Sequence, residues 1–422
     1  SLLEVGYDNQ IVGDGAPAGR TNRGNYRTNS LTFNQILSYS KVFQEKHFVE
    51  ALVGHENYNY QQERQYLSKQ DQILDGNIEP DNFVTINSAT GRTDIDRIES
   101  YFSRVNYVYD DKYSLSASFR RDGSSRFYKD VRWGNFFSVG GAWTIDQEDF
   151  FNSSFIQLLK LRASYGQVGN NNVDGYYPWQ ALYDLGNNNG PEPGILQSSL
   201  AARELLWESN NTFDIGVDFA FGNRFQGTIE YFNRVSENLL FEVPLSLTTG
   251  LESRFQNIGT MSNQGIEFSI AGDVVRSGDF KWNVGLNVST FDNEFKKLPF
   301  EEQINGTKKY EVGSSIYDFW LRDWYGVDSE TGDGLFFAEE YAEDDEDIRI
   351  VGSDTLTVNQ ANARFHYAGS AIPDFFGGLT NTFTYKGFSL SVLMSFSVGG
   401  DIYDGIYGGL MDAATEGGAL HT

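Results

Sequence analysis

The sequence predicts an all-β fold, the wall of an antiparallel up-and-down transmembrane β-barrel, from three observations. The first is residues 388–398. Phe388, Leu390, Val392, Met394, Phe396 and Val398 are apolar, with Ser389, Ser391, Leu393, Ser395 and Ser397 between them. Period two puts the two sets on opposite faces of a strand. Its length matches the roughly 9–11 residues a tilted strand needs to cross hydrocarbon. The second observation is recurrence, with about twelve such segments along the chain. The third is the spacing between them, because short and long connections alternate. An up-and-down membrane barrel does this, with tight turns on the periplasmic side and long loops outside. A soluble sandwich has no reason to gather its long loops at one end.

The segments run 30–43, 47–60, 100–109, 112–121, 133–144, 158–168, 212–221, 224–234, 263–273, 280–291, 376–385 and 388–399. In 112–121 the odd face is Tyr113, Leu115, Ala117 and Phe119, against Ser114, Ser116, Ser118 and Arg120. In 212–221 Phe213, Ile215, Val217, Phe219 and Phe221 oppose Thr212, Asp214, Gly216 and Asp218. In 280–291 Phe280, Trp282, Val284, Leu286 and Val288 oppose Lys281, Asn283, Gly285, Asn287 and Ser289. Charges thus fall opposite the apolar face. Short connections are expected at Gln44–Lys46, Asp110–Asp111, Gly222–Asn223, Val274–Asp279 and Lys386–Gly387, and a short helix within 145–157. Long ones are expected at 61–99, 122–132, 169–211, 235–262 and 292–375. Several apolar faces end in Tyr or Trp, including Tyr101, Tyr109, Trp143, Tyr231, Trp282 and Tyr385. These suit interfacial girdles, although large aromatics also fill an ordinary β-core.

Composition narrows the function. Across 422 residues there are 58 acidic and 32 basic side chains, a net charge of −26. Such a chain repels the phosphate backbone, so nucleic acid is not its partner. The absence of cysteine removes disulfides, thiolate metal sites and cysteine nucleophiles. Mean hydropathy is −0.43, which does not argue against a barrel whose strands hide their apolar half by alternation. The start, Ser1-Leu-Leu-Glu-Val, has neither the basic region nor the apolar core of a signal peptide.

Catalytic chemistry is not visible. His47, His55, His366 and His421 make no zinc spacing, and no nucleophile elbow, phosphate loop or dinucleotide fingerprint occurs. The expectation is a protein that is not an enzyme and has no cofactor. The acidic run Glu339–Asp347 and the segment Asp328-Ser-Glu-Thr-Gly-Asp-Gly334 offer oxygens for calcium, but they also read as solvated loop. Loop aromatics Tyr176, Tyr177, Trp179, Trp207, Trp320, Trp324 and Tyr325 suit the stacking of sugars or peptides, or packing among the loops. Arg104, Arg120 and Arg162 fall on the face opposite the apolar one and would attract anionic groups.

Several motifs carry a family resemblance. They are Arg104-Val-Asn-Tyr-Val-Tyr-Asp-Asp-Lys-Tyr113, Ser118-Phe-Arg-Arg-Asp-Gly-Ser-Ser-Arg-Phe127 and Trp133-Gly-Asn-Phe-Phe-Ser-Val-Gly-Gly-Ala-Trp143. Further on come Leu161-Arg-Ala-Ser-Tyr-Gly-Gln-Val-Gly-Asn170, Leu206-Trp-Glu208, Asn257-Ile-Gly-Thr-Met-Ser-Asn-Gln-Gly-Ile-Glu267 and Ile372-Pro-Asp-Phe-Phe-Gly-Gly-Leu-Thr-Asn381. In order and spacing the chain resembles the middle barrel portion of the SusC-like (RagA-like) TonB-dependent outer-membrane transporters of Bacteroidetes. The resemblance implies a 22-stranded barrel in outer-membrane lipid, an N-terminal plug, a TonB box and a SusD-like lipoprotein lid. A dimer of transporter–lipoprotein pairs is the assembly it allows. The implied activity is TonB-dependent import of a large nutrient, an oligosaccharide or oligopeptide. Tyr177, Trp179, Trp207, Trp320, Trp324, Arg104, Arg120 and Arg162 are the candidate substrate-binding residues. The sequence departs from the family in showing no plug or TonB box, about twelve strands, and no aromatic-terminated last strand before Thr422. An open sheet in lipid would leave bare edges, so the chain is expected to be a portion of a longer polypeptide, lacking the plug and the C-terminal strands. The alternative function is a non-transporting outer-membrane or surface β-protein that binds glycans or mediates adhesion.

Overall fold

A computed structural model describes residues 2–7, 18–173, 175–251, 253–339, 341 and 345–406. One 13-stranded antiparallel sheet dominates. Its strands are β1 (Leu2–Tyr7), β2 (Arg20–Phe43), β3 (His47–Gln72), β4 (Phe83–Tyr109), β5 (Tyr113–Ser124), β6 (Trp133–Thr144) and β7 (Ile156–Asn170). They continue as β8 (Glu208–Phe221), β9 (Phe225–Glu237), β10 (Thr260–Ser277), β11 (Phe280–Lys297), β12 (Phe375–Tyr385) and β13 (Phe388–Val398). Each pairs with the next in chain order, so successive connections leave opposite edges of the sheet.

One edge carries the tight turns. The tight loops have three residues (44–46, 110–112 and 222–224) or two (278–279 and 386–387), and turns of the type I′ kind need positive φ at both central residues. Gln44 and Glu45 have φ of 51° and 60°, Asp110 and Asp111 51° and 55°, and Gly222 and Asn223 61° and 53°. Lys386 at 52° precedes Gly387 in the last turn. The 145–157 connection shares this edge and holds a single 3₁₀ turn, Ile145–Gln147. The opposite edge carries 73–82, 125–132, 171–207, 238–259 and 298–374.

The expected strand set is corrected in two respects. β1 was not anticipated; it pairs residue by residue with Arg20–Asn25. And β2, β3 and β4 are 24, 26 and 27 residues long, so most of the expected 61–99 loop is ladder. Pairing of β3 with β4 continues from His47↔Tyr109 to Gln72↔Phe83. At about 3.3 Å per residue these strands reach far beyond a hydrocarbon layer about 30 Å thick. The added segment Gln61-Gln-Glu-Arg-Gln-Tyr-Leu-Ser-Lys-Gln-Asp-Gln72 is mostly polar on both faces. A strand solvated on both sides has no apolar alternation to betray it.

The register separates two environments across the whole sheet. Leu115, Gly141, Ala163, Ile215, Tyr231 and Ile266 are successive lateral partners from β5 to β10. One residue along each strand, Ser116, Gly140, Ser164 and Asp214 form the matching row on the other face. The apolar row is not covered: Leu115 is 53% exposed and Ile266 48%. So broad a band of exposed apolar side chains requires a non-aqueous neighbour, and a membrane supplies one.

Aromatics bracket this band. At the turn edge the rings of Tyr109 and Tyr113 stack with centroids 6.3 Å apart. The Trp143 indole donates to Glu148 at 2.9 Å, and the Tyr113 hydroxyl donates to the same carboxylate. Toward the loop edge Tyr101 lies 6.3 Å from Trp133, and the Arg121 guanidinium covers Trp133 at 5.2 Å. Between Tyr101 and Tyr109 the strand spans the length needed for one crossing.

Two outcomes follow. Single cysteines replacing Asn188 or Asp345, on the long-loop edge, are expected to label from outside intact cells, and a cysteine replacing Asp279 is not; the reverse pattern would invert the barrel. On β13, Val392→Arg places a charge in the apolar row and Ser391→Arg does not. A lipid-facing charge near the midplane costs about 2–4 kcal/mol, so assembly yield should fall for the first and change little for the second. Equal yields would refute the facing assignment.

Candidate functional site

The polar face of the sheet is built from small residues and from charges that answer one another. Ser114, Ser116, Gly140, Ala142, Ser164, Asn106, Arg162 and Asp214 line a hollow of about 340 Å³. Arg162 reaches across the ladder to Asp218 on β8 at 3.2 Å and to Glu230 on β9. Gly216 lies between them in register. Arg120 donates through Nε to Asp122 at 2.7 and 2.9 Å, and through Nη2 to Ser100 at 2.9 Å and Glu56 at 3.1 Å. Its guanidinium also covers the Phe102 ring at 5.4 Å. Arg104 lies on the same face, exposed, with no ion pair among the described residues. The three arginines predicted from sequence thus share one face, but two of them are saturated by carboxylates.

At the loop edge, residues 171–207 fold over the strand ends around a small apolar core. Phe127, Phe136, Val173, Ala202, Leu205 and Trp207 are buried together. Gly134 and Gly169 flank the Phe136 ring, and a Cβ on either would stand 2.4 or 2.0 Å from it. That space lets Phe136 meet Trp207 at 5.5 Å. Trp207 is 8% exposed, and its indole donates to the Arg132 carbonyl at 2.8 Å. It is a packing residue in this structure rather than a surface offered to ligand. Tyr177 accepts from the Ile95 amide at 2.9 Å, and Trp179 donates to the Ser125 carbonyl at 3.1 Å. Both are half-buried. Tyr176 stacks on Tyr60 at 6.1 Å beneath Arg126.

Trp320 and Trp324 belong to a second group, in the 298–374 excursion. It is not a bare loop. It holds two two-stranded pairings, 302–305 with 308–311 and 318–322 with 365–370. It also holds a four-stranded sheet from residues 324–327, 334–337, 348–351 and 354–357. Trp320 packs edge-on to Tyr367 at 4.9 Å under the Lys309 ammonium at 4.5 Å. Trp324 meets Phe336 edge-on at 5.1 Å and remains 52% exposed; Tyr325 is also exposed. No contact joins this group to Tyr177, Trp179 or Trp207 among the described residues.

Charge pairs hold the excursion. The Tyr367 hydroxyl, donating to Glu311 at 2.8 Å, holds that carboxyl below its ordinary pKa, and Lys309 at 3.1 Å adds to the effect. The stability this lends is present at neutral pH and is lost as pH falls through the lowered pKa. In the acidic run, Asp345 accepts from Asn362 at 3.4 Å and Asp347 from Asn359 at 3.1 Å. Glu340 and residues 342–344 lie outside the described residues, as does His421. His47 bonds Tyr107 at 2.8 Å, and His55 lies 3.4 Å from Glu99. No cluster of three or more His, Asp or Glu suited to a metal is found among the described residues.

Trp207→Ala is expected to open the 171–207 fold without dissolving the sheet. Truncating a buried tryptophan costs about 3–5 kcal/mol. Limited proteolysis in detergent should therefore cut this loop first while the barrel stays resistant. Unchanged protection would mean the core does not hold the loop.

Comparison with known proteins agrees with this geometry. The family model described as "TonB dependent receptor-like, beta-barrel" matches residues 4–402. TonB-dependent receptor P39 of Formosa agariphila is 30% identical, over 96% of this chain and 43% of its own length. TonB-dependent receptor SusC of Bacteroides thetaiotaomicron is 26% identical, over 92% of this chain and 39% of its own. Among solved structures, the RagAB peptide importer in the closed-closed state superposes with a TM-score of 0.81 at 27% identity, over 92% of this chain and 43% of that one. The chain thus spans less than half the length of these relatives, which are receptors and transporters rather than enzymes. With its membrane-length strands, bracketed apolar band and one-sided loops, this chain belongs to the TonB-dependent receptor-like β-barrel family of the outer membrane, with the SusC and RagA type among its relatives.

Proposed function

We propose that the protein forms part of the wall and mouth of an importer for a large oligomer, an oligosaccharide or oligopeptide. In this reading TonB drives the transport and a SusD-like surface lipoprotein covers the mouth. The observation that carries it is the asymmetry of the sheet. The three longest connections, 171–207, 238–259 and 298–374, all leave one edge, and they raise aromatic groups above a polar face of small residues and paired charges. A large polar cargo needs a wide, unobstructed wall, and serine, glycine and alanine provide it. Ligand capture at the mouth falls to Trp324, the most exposed of the loop tryptophans, with Trp320, Trp179 and Tyr177 contributing partly exposed ring faces. Buried Trp207 takes no part. Arg104 has no carboxylate partner among the described residues, whereas Arg120 and Arg162 must first give up theirs.

The test pairs binding with uptake. Calorimetric titration of the whole protein, with its surface lipoprotein, against candidate oligosaccharides and oligopeptides should give one binding class. Trp324→Ala should weaken it by at least about fivefold, the order expected for loss of an aromatic contact of 1 kcal/mol or more. Uptake of the same oligomer by cells should require TonB. Binding without uptake would favour the adhesive, non-transporting alternative.

A further inference from the structure

We propose that the polar face of β2–β4, above the membrane band, holds a site for the anionic group, carboxylate or sulfate, of an acidic oligosaccharide. The site rests on the transport reading but names the chemistry of the cargo. Arg64 and Arg92 are direct cross-strand partners, and Tyr26 stands opposite Arg64 on β2. The next pair along the same face is Tyr66 and Thr90. Tyr26, Arg64, Tyr66, Thr90, Gly91 and Arg92 line a hollow of about 390 Å³.

Like charges directly opposite on one face destabilise a ladder. A single carboxylate lies within ion-pair reach of both: Asp94 Oδ2 is 3.2 Å from Arg92 Nε and 3.8 Å from Arg64 Nε, and Arg64 Nε donates its hydrogen bond to neutral Gln62 at 2.5 Å. Asp94 is buried, while the guanidiniums keep 37% and 63% of their exposure. Among the described residues one positive charge therefore remains uncompensated at an open hollow, on a chain of net charge −26. Arg120 and Arg162 show the contrast, since each has two carboxylates of its own. Two forked donors side by side match the paired oxygens of a carboxylate or sulfate. The lining favours a sugar over a peptide. It offers ring faces, hydroxyls and guanidiniums, and no aliphatic side chain to receive an apolar residue. Sugar rings stack on such faces and bond such hydroxyls.

The experiment is titration of the whole protein in detergent with four probes: oligogalacturonate, a sulfated oligosaccharide, a neutral malto-oligosaccharide and oligoglutamate. Wild type should bind at least one anionic saccharide about tenfold or more tighter than the neutral one, the order set by a charge-assisted pair, and added salt should shrink the difference. Whichever anionic saccharide binds identifies the group. Arg64→Gln and Arg92→Gln should each abolish the preference, and Arg92→Lys should keep part of it. Because Arg92→Lys keeps a cation beside buried Asp94, its thermal unfolding should not fall while the preference weakens, which separates ligand binding from a structural role. Equal affinity for neutral and anionic saccharides would overturn the proposal. So would a preference that survives in both glutamine variants, or tighter arginine-dependent binding of oligoglutamate. TonB-dependent uptake of the neutral probe by the Arg92→Gln strain would leave the transport reading standing if the site fails; absence of uptake of every probe by wild type would sink that reading instead.

Discussion

A membrane offers the backbone no water, so every amide and carbonyl in the apolar band must find its partner in the next strand. That constraint fixes much else. It forces continuous antiparallel ladders and leaves only the side chains free to differ between faces. Because side chains alternate strictly, a single register assigns each residue to lipid or to the inner face. The rows through Leu115 and Ser116 are neighbours along one strand, yet they meet hydrocarbon and polar space respectively. Bulges are few, and those in the sheet lie near strand ends, as at Asp273/Val275 and Ser68/Lys69. There a slip does not reverse the assignment of the central band.

The inner face must also be neutralised locally. An unpaired charge on a wide polar wall would bind whatever counter-charge passed and slow its movement. Arg120 avoids this by reaching Glu56 on β3 and Asp122 on its own strand, and Arg162 by reaching Asp218 on β8 and Glu230 on β9. These bridges are half-exposed, so each adds little to stability. Their consequence is a wall on which these two charges are already answered, with serines and glycines between them. The net charge of −26 is thus an excess of acidic groups beyond the bridges that tie up the arginines.

Legibility followed the apolar alternation. From Tyr101 through Val398 the strands were readable because one face had to meet lipid, and the tight turns at Asp110–Asp111 and Gly222–Asn223 were readable from their shortness. Beyond the membrane that signal stops. The upper parts of β2, β3 and β4 are solvated on both faces, so Gln61–Gln72 looked like loop although it is ladder throughout. Trp207 looked like an exposed ring because a sequence does not show that Phe127, Phe136 and Leu205 converge on it. The small sheets of the 298–374 excursion were missed for a related reason: strands of four or five residues are too short for a period to show. Arg64 and Arg92 went unremarked because they are 28 positions apart in the chain and become neighbours only through the β3–β4 register.

That last pair is one of the few places where the ladder sets like charges face to face. At many other positions the ladder puts small or complementary groups side by side: Ser116 beside Gly140, Ser118 bonded to Ser138 at 2.6 Å, Trp282 bonded to Asn381 at 3.1 Å. Like charges also meet at Arg276 and Lys281, which share Asp273, and at Glu230 and Glu267, where Arg162 reaches Glu230. Local choices that agree with the fold are what a stable sequence shows, and departures from them concentrate where function demands it. Two arginines facing each other across a ladder lower its stability, and their one shared carboxylate offsets only part of that. No further carboxylate pairs with either among the described residues, although acidic residues outnumber basic ones by 58 to 32 across the chain. A wall rich in carboxylates that withholds one at this position keeps a place for an anion from outside. The place also lies above the membrane band, where the strands continue past the length that lipid requires. Extra strand length of this kind does nothing for anchoring. It extends the ordered inner face toward the mouth, where an incoming oligomer would first meet it.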